Sequence, residues 1–231
     1  DLGYMYEGGE EGLIEDTHQL LLIAKERFGE DKPYYLLGHS MGSLVVRCFT
    51  KKYDDEIDKL VVVGSPSKVA GAGLGLFLAK TAEKTKGPRA KWKLLDYMAM
   101  DMSYEKPFKN ENLVHAWVNS DRNAVIAYNN DPLCNYKFTV NGYKALISTT
   151  INTYDPSGWQ MKNPDLKIAF FSGEDDPCAA SPKAFRQSID FMKKVGYRYV
   201  DGKMYHGMRH EVLNEPEHEK VYHDILNFLN M

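Results

Sequence analysis

Residues 34–43 read YYLLGHSMGS, in which a short apolar run passes directly into a glycine-rich segment around a serine. The apolar run at 34–37 is bounded by a proline and a glycine, a pattern typical of a β-strand that is buried on both faces. Residues 41–53 are predicted to form a helix, and the apolar run at 60–63 a second buried strand. This unit predicts two parallel strands joined by a right-handed crossover.

Ser40 lies in a G-x-S-x-G pattern, which carries chemistry only at a tight turn from a strand into a helix. The serine of such a turn takes a strained backbone conformation, and Gly38 and Gly42 are expected to lack a Cβ so that the chains can pass. The turn would expose the Ser40 hydroxyl and direct the Met41 amide at an oxyanion on an attacked carbonyl. The alternative interpretation is a glycine-rich turn in which Ser40 only caps the helix.

A nucleophilic serine needs a histidine base and an acid that orients it, in the chain order serine, acid, histidine. An acidic turn follows the predicted strand at 167–171, at the strand end where ligands collect in parallel sheets. A histidine-containing segment follows the last predicted strand, at 197–205. The candidates are Glu174, Asp175 and Asp176 for the acid, and His206 and His210 for the base. The residue pattern leaves these choices open, and His39 is expected to point elsewhere and to transfer no proton.

The middle of the chain, residues 66–164, predicts helices or irregular structure and no strand, whereas the strand pattern resumes at 167. The sequence therefore predicts an α/β core made of residues 1–65 and 165–231, interrupted by a helical cap or lid at 66–164. The pair Asp201-Gly202 in the last predicted strand is also a hairpin signal, so a break there is the alternative.

Composition excludes several classes of protein. The 231 residues are 43% apolar and 26% charged, as in ordinary globular domains. Lys and Arg number 29 and Asp and Glu 32, and this net charge of −3 gives no reason to expect nucleic acid as a partner. No apolar run reaches the length of about 18 residues that a membrane span needs. The three cysteines lack metal-binding spacing, so we expect free thiols in a reducing compartment, the cytoplasm, and neither metal nor cofactor.

Three segments together resemble the α/β-hydrolase superfamily: GHSMGS at 38–43, SGEDDP at 172–177 and RHEVLNE at 209–215. In particular, they are similar to the bacterial lysophospholipase and monoacylglycerol lipase-like group, also described as a serine aminopeptidase-type family. The segment WVNSDR at 117–122 resembles part of that group's cap. This resemblance implies that the acid is Asp176 and that the base is His210.

The resemblance implies a serine hydrolase that cleaves carboxylic esters, such as lysophospholipids or monoacylglycerols, through an acyl-enzyme intermediate. Ser40, Asp176 and His210 would form the catalytic triad, with the Met41 amide binding the oxyanion. The expected partner is a small-molecule ester or lipid, with at most peripheral membrane contact. The alternatives are a non-catalytic ligand-binding protein of this fold or an aminopeptidase. In an aminopeptidase, carboxylates such as Glu105, Glu111 and Asp121 would bind the substrate ammonium.

Relatives in that group resemble this chain only after several N-terminal strands and a His-Gly loop that donates a second oxyanion N–H. Nothing at the front of this chain corresponds to either, so we expect a truncated, mostly parallel sheet in which residues 34–37 form an exposed apolar edge. The missing segment is expected to come from the full-length gene product or from another chain. The residues expected to line an acyl pocket in the cap are Leu74, Leu76, Phe77, Leu78, Met98, Met100 and Met102.

Overall fold

The sheet is fully parallel, as the strand–helix–strand pattern predicts. A computed structural model describes residues 1–100 and 102–231. Its strands are β1 (Tyr35–His39), β2 (Lys59–Val63), β3 (Lys167–Gly173) and β4 (Val200–Tyr205), in the spatial order β1-β2-β3-β4. All three neighbouring pairs are parallel, with Leu37 opposite Val61 and Phe171 opposite Lys203. The predicted α/β class is confirmed.

The helices lie close to the predicted segments. They are α1 (Gly9–Phe28), α2 (Met41–Tyr53), α3 (Ala72–Lys86), α4 (Lys93–Asp96), α5 (Arg122–Asn130), α6 (Val140–Thr153), α7 (Pro182–Val195) and α8 (His218–Asn230), with a π-helical segment at Tyr97–Glu105 and short 3₁₀ turns at Lys106–Glu111 and Ala116–Val118. Helix α7 begins three residues before the predicted start at 185. The reason is that Ser181 accepts a hydrogen bond from the Ala184 amide as an N-cap, with Pro182 in the first turn.

Helices cover both faces of the sheet. Alternate residues of a strand point to opposite faces, so Val62 and Phe170 pack toward α2 and α7, while Val61 and Phe171 pack toward α8. The first face includes Phe49, Leu60, Ile168, Ile189 and Met192, and the second includes Val63, Ala169, Val221, Ile225 and Phe228. Each fully buried large apolar side chain contributes about 1.5–3 kcal/mol to folding. This packing holds the strand ends in fixed positions, which the site requires.

The first strand is the edge of the sheet. The prediction that residues 34–37 are buried on both faces is wrong, because Tyr35 and Leu37 are 44% and 45% exposed. Only Leu36 packs against the α2 and α7 side of the core. Within the described residues β1 pairs with β2 alone, so the expectation of an exposed apolar edge is confirmed.

The last strand is continuous through Asp201-Gly202, so the alternative of a hairpin at this pair is wrong. Gly202 lies opposite Phe170 in the parallel register. A Cβ at position 202 would lie 2.7 Å from the Ile189 Cδ1 and 2.9 Å from the Phe170 Cβ. The glycine therefore allows a close approach between β3, β4 and α7, and it does not mark a turn.

In the part of residues 66–164 that the structure describes, no strand occurs between β2 and β3, as predicted. Helices α3 and α6 pack around Tyr143, and α6 also packs on α2 of the core. The Cys48 thiol and the Thr153 hydroxyl approach to 3.2 Å, and the Lys51 ammonium donates to Asn152 at 2.8 Å. Helix α6 thus ties the helical segment to the helix that begins at the G-x-S-x-G turn.

The three cysteines are free, as expected. Cys48 and Cys178 are buried and Cys134 is exposed. Among the helices of the described residues, none combines the length and the apolar character that a membrane crossing requires.

Candidate active site

Ser40 sits on a strained turn between β1 and α2. Its backbone has φ 54° and ψ −123°, a conformation that a residue with a side chain seldom adopts and that costs about 1–3 kcal/mol. The Ser40 amide donates to the Val63 carbonyl at 3.0 Å, which ties the turn to the end of β2. Met41 opens helix α2, where the first amides have no partner within the helix. The half-buried Ser40 hydroxyl therefore lies beside a helix N-terminus.

The two glycines that flank the serine have different roles. A Cβ on Gly38 would clash with the Gly42 carbonyl and would lie 2.7 Å from the Val46 Cγ2. A Cβ on Gly42 would meet nothing within 4 Å. The expectation that both positions must lack a Cβ is therefore wrong for Gly42, because the close contact is made by the glycine two residues before the serine.

Replacing Gly38 with alanine is expected to lower the free energy of unfolding by about 1–3 kcal/mol, the usual cost of overpacking a dense region. The Gly42→Ala variant is the matched control. Alanine is favoured over glycine in a helix by about 1 kcal/mol, so this variant should be as stable as the wild type or more stable. Chemical denaturation of both variants measures the difference. Equal destabilisation of the two would contradict the distinction between them.

Asp176 and His210 form a buried pair where β3 and β4 end. The His210 Nδ1–H donates to both carboxylate oxygens of Asp176 at 3.1 Å, and each residue is 3% exposed. The carboxylate also accepts from the Ser172 hydroxyl at 3.1 Å and from the Cys178 amide at 2.8 Å. These bonds fix the carboxylate in one orientation and direct it at one nitrogen of the imidazole.

The other candidate acids and the other candidate histidine lie outside this pair. The Glu174 carboxylate accepts from the His206 ring at 2.9 Å, and the side chain of His206 is 96% exposed. Asp175 is exposed. The structure therefore brings together Asp176 and His210, the two residues that the family resemblance implied.

Two opposing effects act on the imidazole. Burial by itself lowers the pKa of His210, but the neighbouring Cys178 sulfur and Asp176 carboxylate raise it, and the net pKa lies well above the usual histidine value. Burial also raises the pKa of the Cys178 thiol and keeps that group protonated at neutral pH. The lasting negative charge beside the imidazole is therefore Asp176. Burial raises the pKa of this carboxyl, but its bonds to His210, Cys178 and Ser172 outweigh that effect and lower the pKa.

His39 packs directly against this pair. The expectation that its side chain points elsewhere is wrong, since its ring lies 4.7 Å from the His210 ring. Its Nε2–H donates to the His210 carbonyl at 3.2 Å. Burial, followed by the charge of His210, lowers the pKa of His39 to about 4, so the ring is neutral at pH 7. A neutral ring in this place supports the backbone of residues 206–217, the loop between β4 and α8 that carries His210 and that we call the histidine loop.

Cys178 is a third buried group beside the imidazole. Its thiol lies within hydrogen-bonding reach of both the His210 ring and the Tyr104 hydroxyl. Donor atoms of Asp176, Cys178 and His210 lie within 4.8 Å of one another, close enough to consider a metal ion. The same atoms already bond one another, so we assign this cluster to carboxylate–imidazole pairing and assign no metal.

The Ser40 hydroxyl makes no hydrogen bond to His210 within the part of the chain that the structure describes. Catalytic hydrogen bonds are often long in the absence of substrate and tighten only when it binds. The two residues lie together at the carboxyl ends of the parallel strands, because His39 both precedes Ser40 and contacts the His210 ring. The geometry thus provides an oriented acid–base pair beside a strained serine.

Similarity to known proteins identifies the family of this chain. The sequence profile of the family described as serine aminopeptidase, S33, matches residues 5–217. The chain belongs to this family. A relative from Mycolicibacterium smegmatis named monoacylglycerol lipase is 28% identical over 220 residues, which cover 94% of this chain and 68% of the relative.

Solved structures similar to this S33 family chain identify its fold. The carboxyl esterase of Bacillus coagulans, in complex with glycerol, matches with a TM-score of 0.86 and 22% identity, over 97% of this chain and 72% of the esterase. The monoacylglycerol lipase of Paleococcus ferrophilus matches with a TM-score of 0.69 and 17% identity, over 96% and 75% of the two chains. These similarities show an α/β-hydrolase fold and confirm the resemblance seen in the sequence.

A cavity of about 430 Å³ lies beside the site of this S33 family chain. Its walls come from the loop after β2, from α3, the π-helical segment and α6, and from the turn after Asp176. Cys178 and Tyr104 form the wall nearest the imidazole, while Ser40 does not line the cavity. A larger open depression of about 560 Å³ lies between β4 and α8, and none of Ser40, Asp176 and His210 lines it.

Two of the seven predicted pocket residues line the cavity, and the other five do not. Met98 and Met102 line the cavity. Leu78 and Met100 pack instead against the buried cluster around Tyr143, and Leu74 and Phe77 are 62% and 64% exposed on α3. Leu76, partly buried, does not line the cavity either. The residues of α3 that pack on α6 include the small Gly75, Ala79 and Ala82, whereas Leu74 and Phe77 point away from it.

Sequence reasoning missed the aromatic packing over the imidazole. The Trp117 ring lies 5.0 Å from the His210 ring, and its indole N–H donates to Glu105 at 3.0 Å. The Tyr104 ring in turn lies 5.0 Å from the Trp117 ring. The sequence of the segment at 117–122 carries a family resemblance, whereas its contact with the His210 ring depends on tertiary structure.

Proposed function

We propose that this protein hydrolyses carboxylic esters with an apolar acyl chain, of the monoacylglycerol or lysophospholipid type, through an acyl-enzyme intermediate. The observation that carries the proposal is the buried pair of Asp176 and His210 at the carboxyl ends of the strands, where Ser40 also sits on a strained turn. The relative from Mycolicibacterium smegmatis, named monoacylglycerol lipase, supports the ester and lipid class.

In the proposed first step, the Ser40 hydroxyl attacks the ester carbonyl while the His210 Nε2 accepts its proton. Asp176 holds the proton on Nδ1, so that the other ring nitrogen is free to act as the base. The protonated imidazole then gives its proton to the leaving alcohol, and the C–O bond of the ester breaks. Water activated by the same imidazole attacks the acyl-enzyme, releases the acid and restores the Ser40 hydroxyl.

The negative charge on the tetrahedral intermediate needs hydrogen-bond donors. We propose the Met41 amide as one donor, because it is the first amide of a 13-residue helix and points outward at the helix N-terminus. The helix dipole adds to this stabilisation, since its positive end lies beside Ser40.

We further propose that residues 66–164 act as the cap and that the acyl chain passes Cys178 and Tyr104 into the 430 Å³ cavity. Most of the lining side chains are apolar, including Leu95, Met98 and Ile147, which suits an alkyl chain, and Lys68 is the charged residue among them. Helix α6 would attach this cap to the core through its contacts with α2.

The aminopeptidase alternative lacks a free carboxylate among the residues considered for it. Glu105 accepts from the His115 amide and the Trp117 indole, and Glu111 pairs with Arg209. Asp121 caps helix α5 by accepting from the Asn123 amide at 2.8 Å. Because each carboxylate already has a structural partner, the ester is the favoured substrate.

The proposal is tested with p-nitrophenyl esters of graded acyl length, together with a monoacylglycerol and an aminoacyl amide. We expect ester turnover that rises with chain length up to a limit and negligible hydrolysis of the amide. A response near background for every ester would overturn the proposed function, and preferential hydrolysis of the amide would favour the aminopeptidase.

The cavity is tested by two matched glycine substitutions on α3. Gly75 lines the cavity, and a Cβ there would meet the Ile147 Cδ1 at 3.5 Å, whereas a Cβ on Gly73 would meet nothing within 4 Å. Gly75→Leu is expected to lower kcat/KM for the longest accepted ester by about 10-fold or more, while kcat/KM for p-nitrophenyl acetate stays unchanged. Gly73→Leu should behave as the wild type with all esters. Identical chain-length profiles for both variants would exclude this cavity as the acyl site.

A further inference from the structure

Glu215 is a fully buried carboxylate that neither the catalytic proposal nor the substrate pocket uses. Its exposure is 0%, yet it lies in the RHEVLNE segment five residues after His210. The carboxylate accepts from the Ser120 amide at 3.0 and 3.1 Å, from the Ser120 hydroxyl, and from the Arg209 amide at 2.7 Å. Burial of a carboxylate is costly unless such donors compensate it, so this position has a specific role.

The donors come from two segments that are remote in the sequence. Ser120 ends the segment 116–120, which lies within the proposed cap just before α5, and Arg209 directly precedes the proposed base. Two backbone bonds join the same segments, from the His210 amide to the Trp117 carbonyl at 3.3 Å and from the Glu211 amide to the Val118 carbonyl at 2.8 Å. We call these contacts, together with those of Glu215, the Glu215 clasp.

The clasp fixes the backbone on both sides of the imidazole. Each of the three consecutive amides of Arg209, His210 and Glu211 donates a hydrogen bond within the clasp. The Trp117 ring, from the segment 116–120, packs on the His210 ring. The Arg209 guanidinium strengthens the contact by donating to the Ala116 and Asn119 carbonyls. A shift of this loop would move the imidazole relative to both Asp176 and Ser40.

We propose that Glu215 is a positioning residue that sets the place of His210 by fastening the histidine loop to the segment 116–120. Glu215 itself touches no reacting atom and moves no proton. The inference rests on the proposed function for its effect on turnover, but its structural part is measured independently of activity.

The experiment compares Glu215→Ala, Glu215→Gln and Asp54→Asn. Asp54 is the matched control, because it is also a buried carboxylate at 0% exposure that accepts from two backbone amides, those of Lys162 and Asn163 at 3.3 and 3.2 Å. It lies at the far end of α2 from Ser40, about 20 Å away for a helix of 13 residues. Both carboxylates therefore serve the fold, but only one adjoins the base.

The first measurement is steady-state ester hydrolysis, with rates corrected for the folded fraction. We expect kcat of Glu215→Ala to fall by about 10²-fold, the loss that about 1 Å of misplacement causes, while KM changes little. Glu215→Gln keeps one acceptor oxygen and should lie between Glu215→Ala and the wild type. Asp54→Asn should lose stability but keep its kcat. Equal losses of kcat in Asp54→Asn and Glu215→Ala would overturn the positioning role.

The second measurement is backbone hydrogen exchange, which does not depend on catalysis. Peptides that contain residues 116–120 and 209–211 are expected to exchange faster in Glu215→Gln and Glu215→Ala than in the wild type, and to be unchanged in Asp54→Asn. Unchanged exchange in the Glu215 variants would overturn the clasp even if the wild type hydrolyses esters. If the wild type hydrolyses no ester, the proposed function fails, while faster exchange would still support the clasp.

If Glu215→Ala does not fold, the Ser120→Ala variant tests the same contact, since it removes the hydroxyl donor and leaves the backbone intact. It should show the same faster exchange at 209–211, with a smaller loss of kcat. Absence of both effects in Ser120→Ala and Glu215→Gln would overturn the proposal.

Discussion

The Ser40→Ala variant is expected to lose ester turnover by about 10⁶-fold, the loss that follows removal of a nucleophilic serine. The reason is that the Ser40 hydroxyl lies on the strained turn beside the histidine loop, whereas the nearby Ser43 is fully buried and its hydroxyl donates to the Ser40 carbonyl. A fluorophosphonate probe should label the wild type at Ser40 and leave the variant unlabelled. The thermal melting curve of the same preparation is the control, because it shows whether the variant is folded when its turnover and labelling are measured.

A second substitution at the same position separates chemistry from backbone strain. Alanine keeps a Cβ at φ 54°, whereas glycine adopts this region without steric cost. Ser40→Gly should therefore be as inactive as Ser40→Ala but more stable, by about 1–3 kcal/mol. Substantial turnover or labelling in either variant would mean that Ser40 is not the nucleophile.

The Asp176→Asn variant is expected to lower kcat by about 10⁴-fold with its fold intact. An amide in place of the carboxylate offers an N–H to the His210 Nδ1 and stabilises the tautomer in which the other ring nitrogen carries the proton. That nitrogen then cannot act as the base. The matched control is Asp175→Asn, the adjacent acid, which is exposed and should keep wild-type turnover.

The pH dependence of the same variants gives an independent check. The base must be unprotonated, and the pKa of His210 lies well above its usual range because the charge and hydrogen bonds of the Asp176 carboxylate outweigh the effect of burial. The acid limb of kcat/KM in the wild type should therefore lie above the usual histidine value of about 6.5. Removal of the carboxylate should move the limb of Asp176→Asn to lower pH. A limb at the same pH in both proteins would contradict Asp176 as the partner of His210.

The local parts of the site could be predicted from the sequence. The turn at Ser40 follows from an apolar run, a G-x-S-x-G pattern and a helix within about 20 residues, and the structure shows the strained serine that this pattern requires. Position 38 needs a glycine because the chain folds back on itself four residues later, which is also a local effect.

The choice among acids and histidines could not be made from residue pattern. Glu174 and Asp176 stand two residues apart in the same turn, but one faces solvent beside His206 and the other faces the core beside His210. The family resemblance supplied that choice, and the packing of β3 against β4 explains it. The direction of the His39 side chain could not be predicted for the same reason, since it depends on where the histidine loop lies.

The order of strands and helices, the parallel sheet and the turn that presents Ser40 follow from local sequence, because apolar periodicity and glycine placement act over short stretches of chain. Which groups meet in the site depends on long-range packing: Asp176 and His210 are 34 residues apart, and Ser120 and Glu215 are 95 apart. Contacts at such separations depend on how the layers pack. A hydrogen bond needs its donor and acceptor within about 3 Å, a distance that no local pattern specifies.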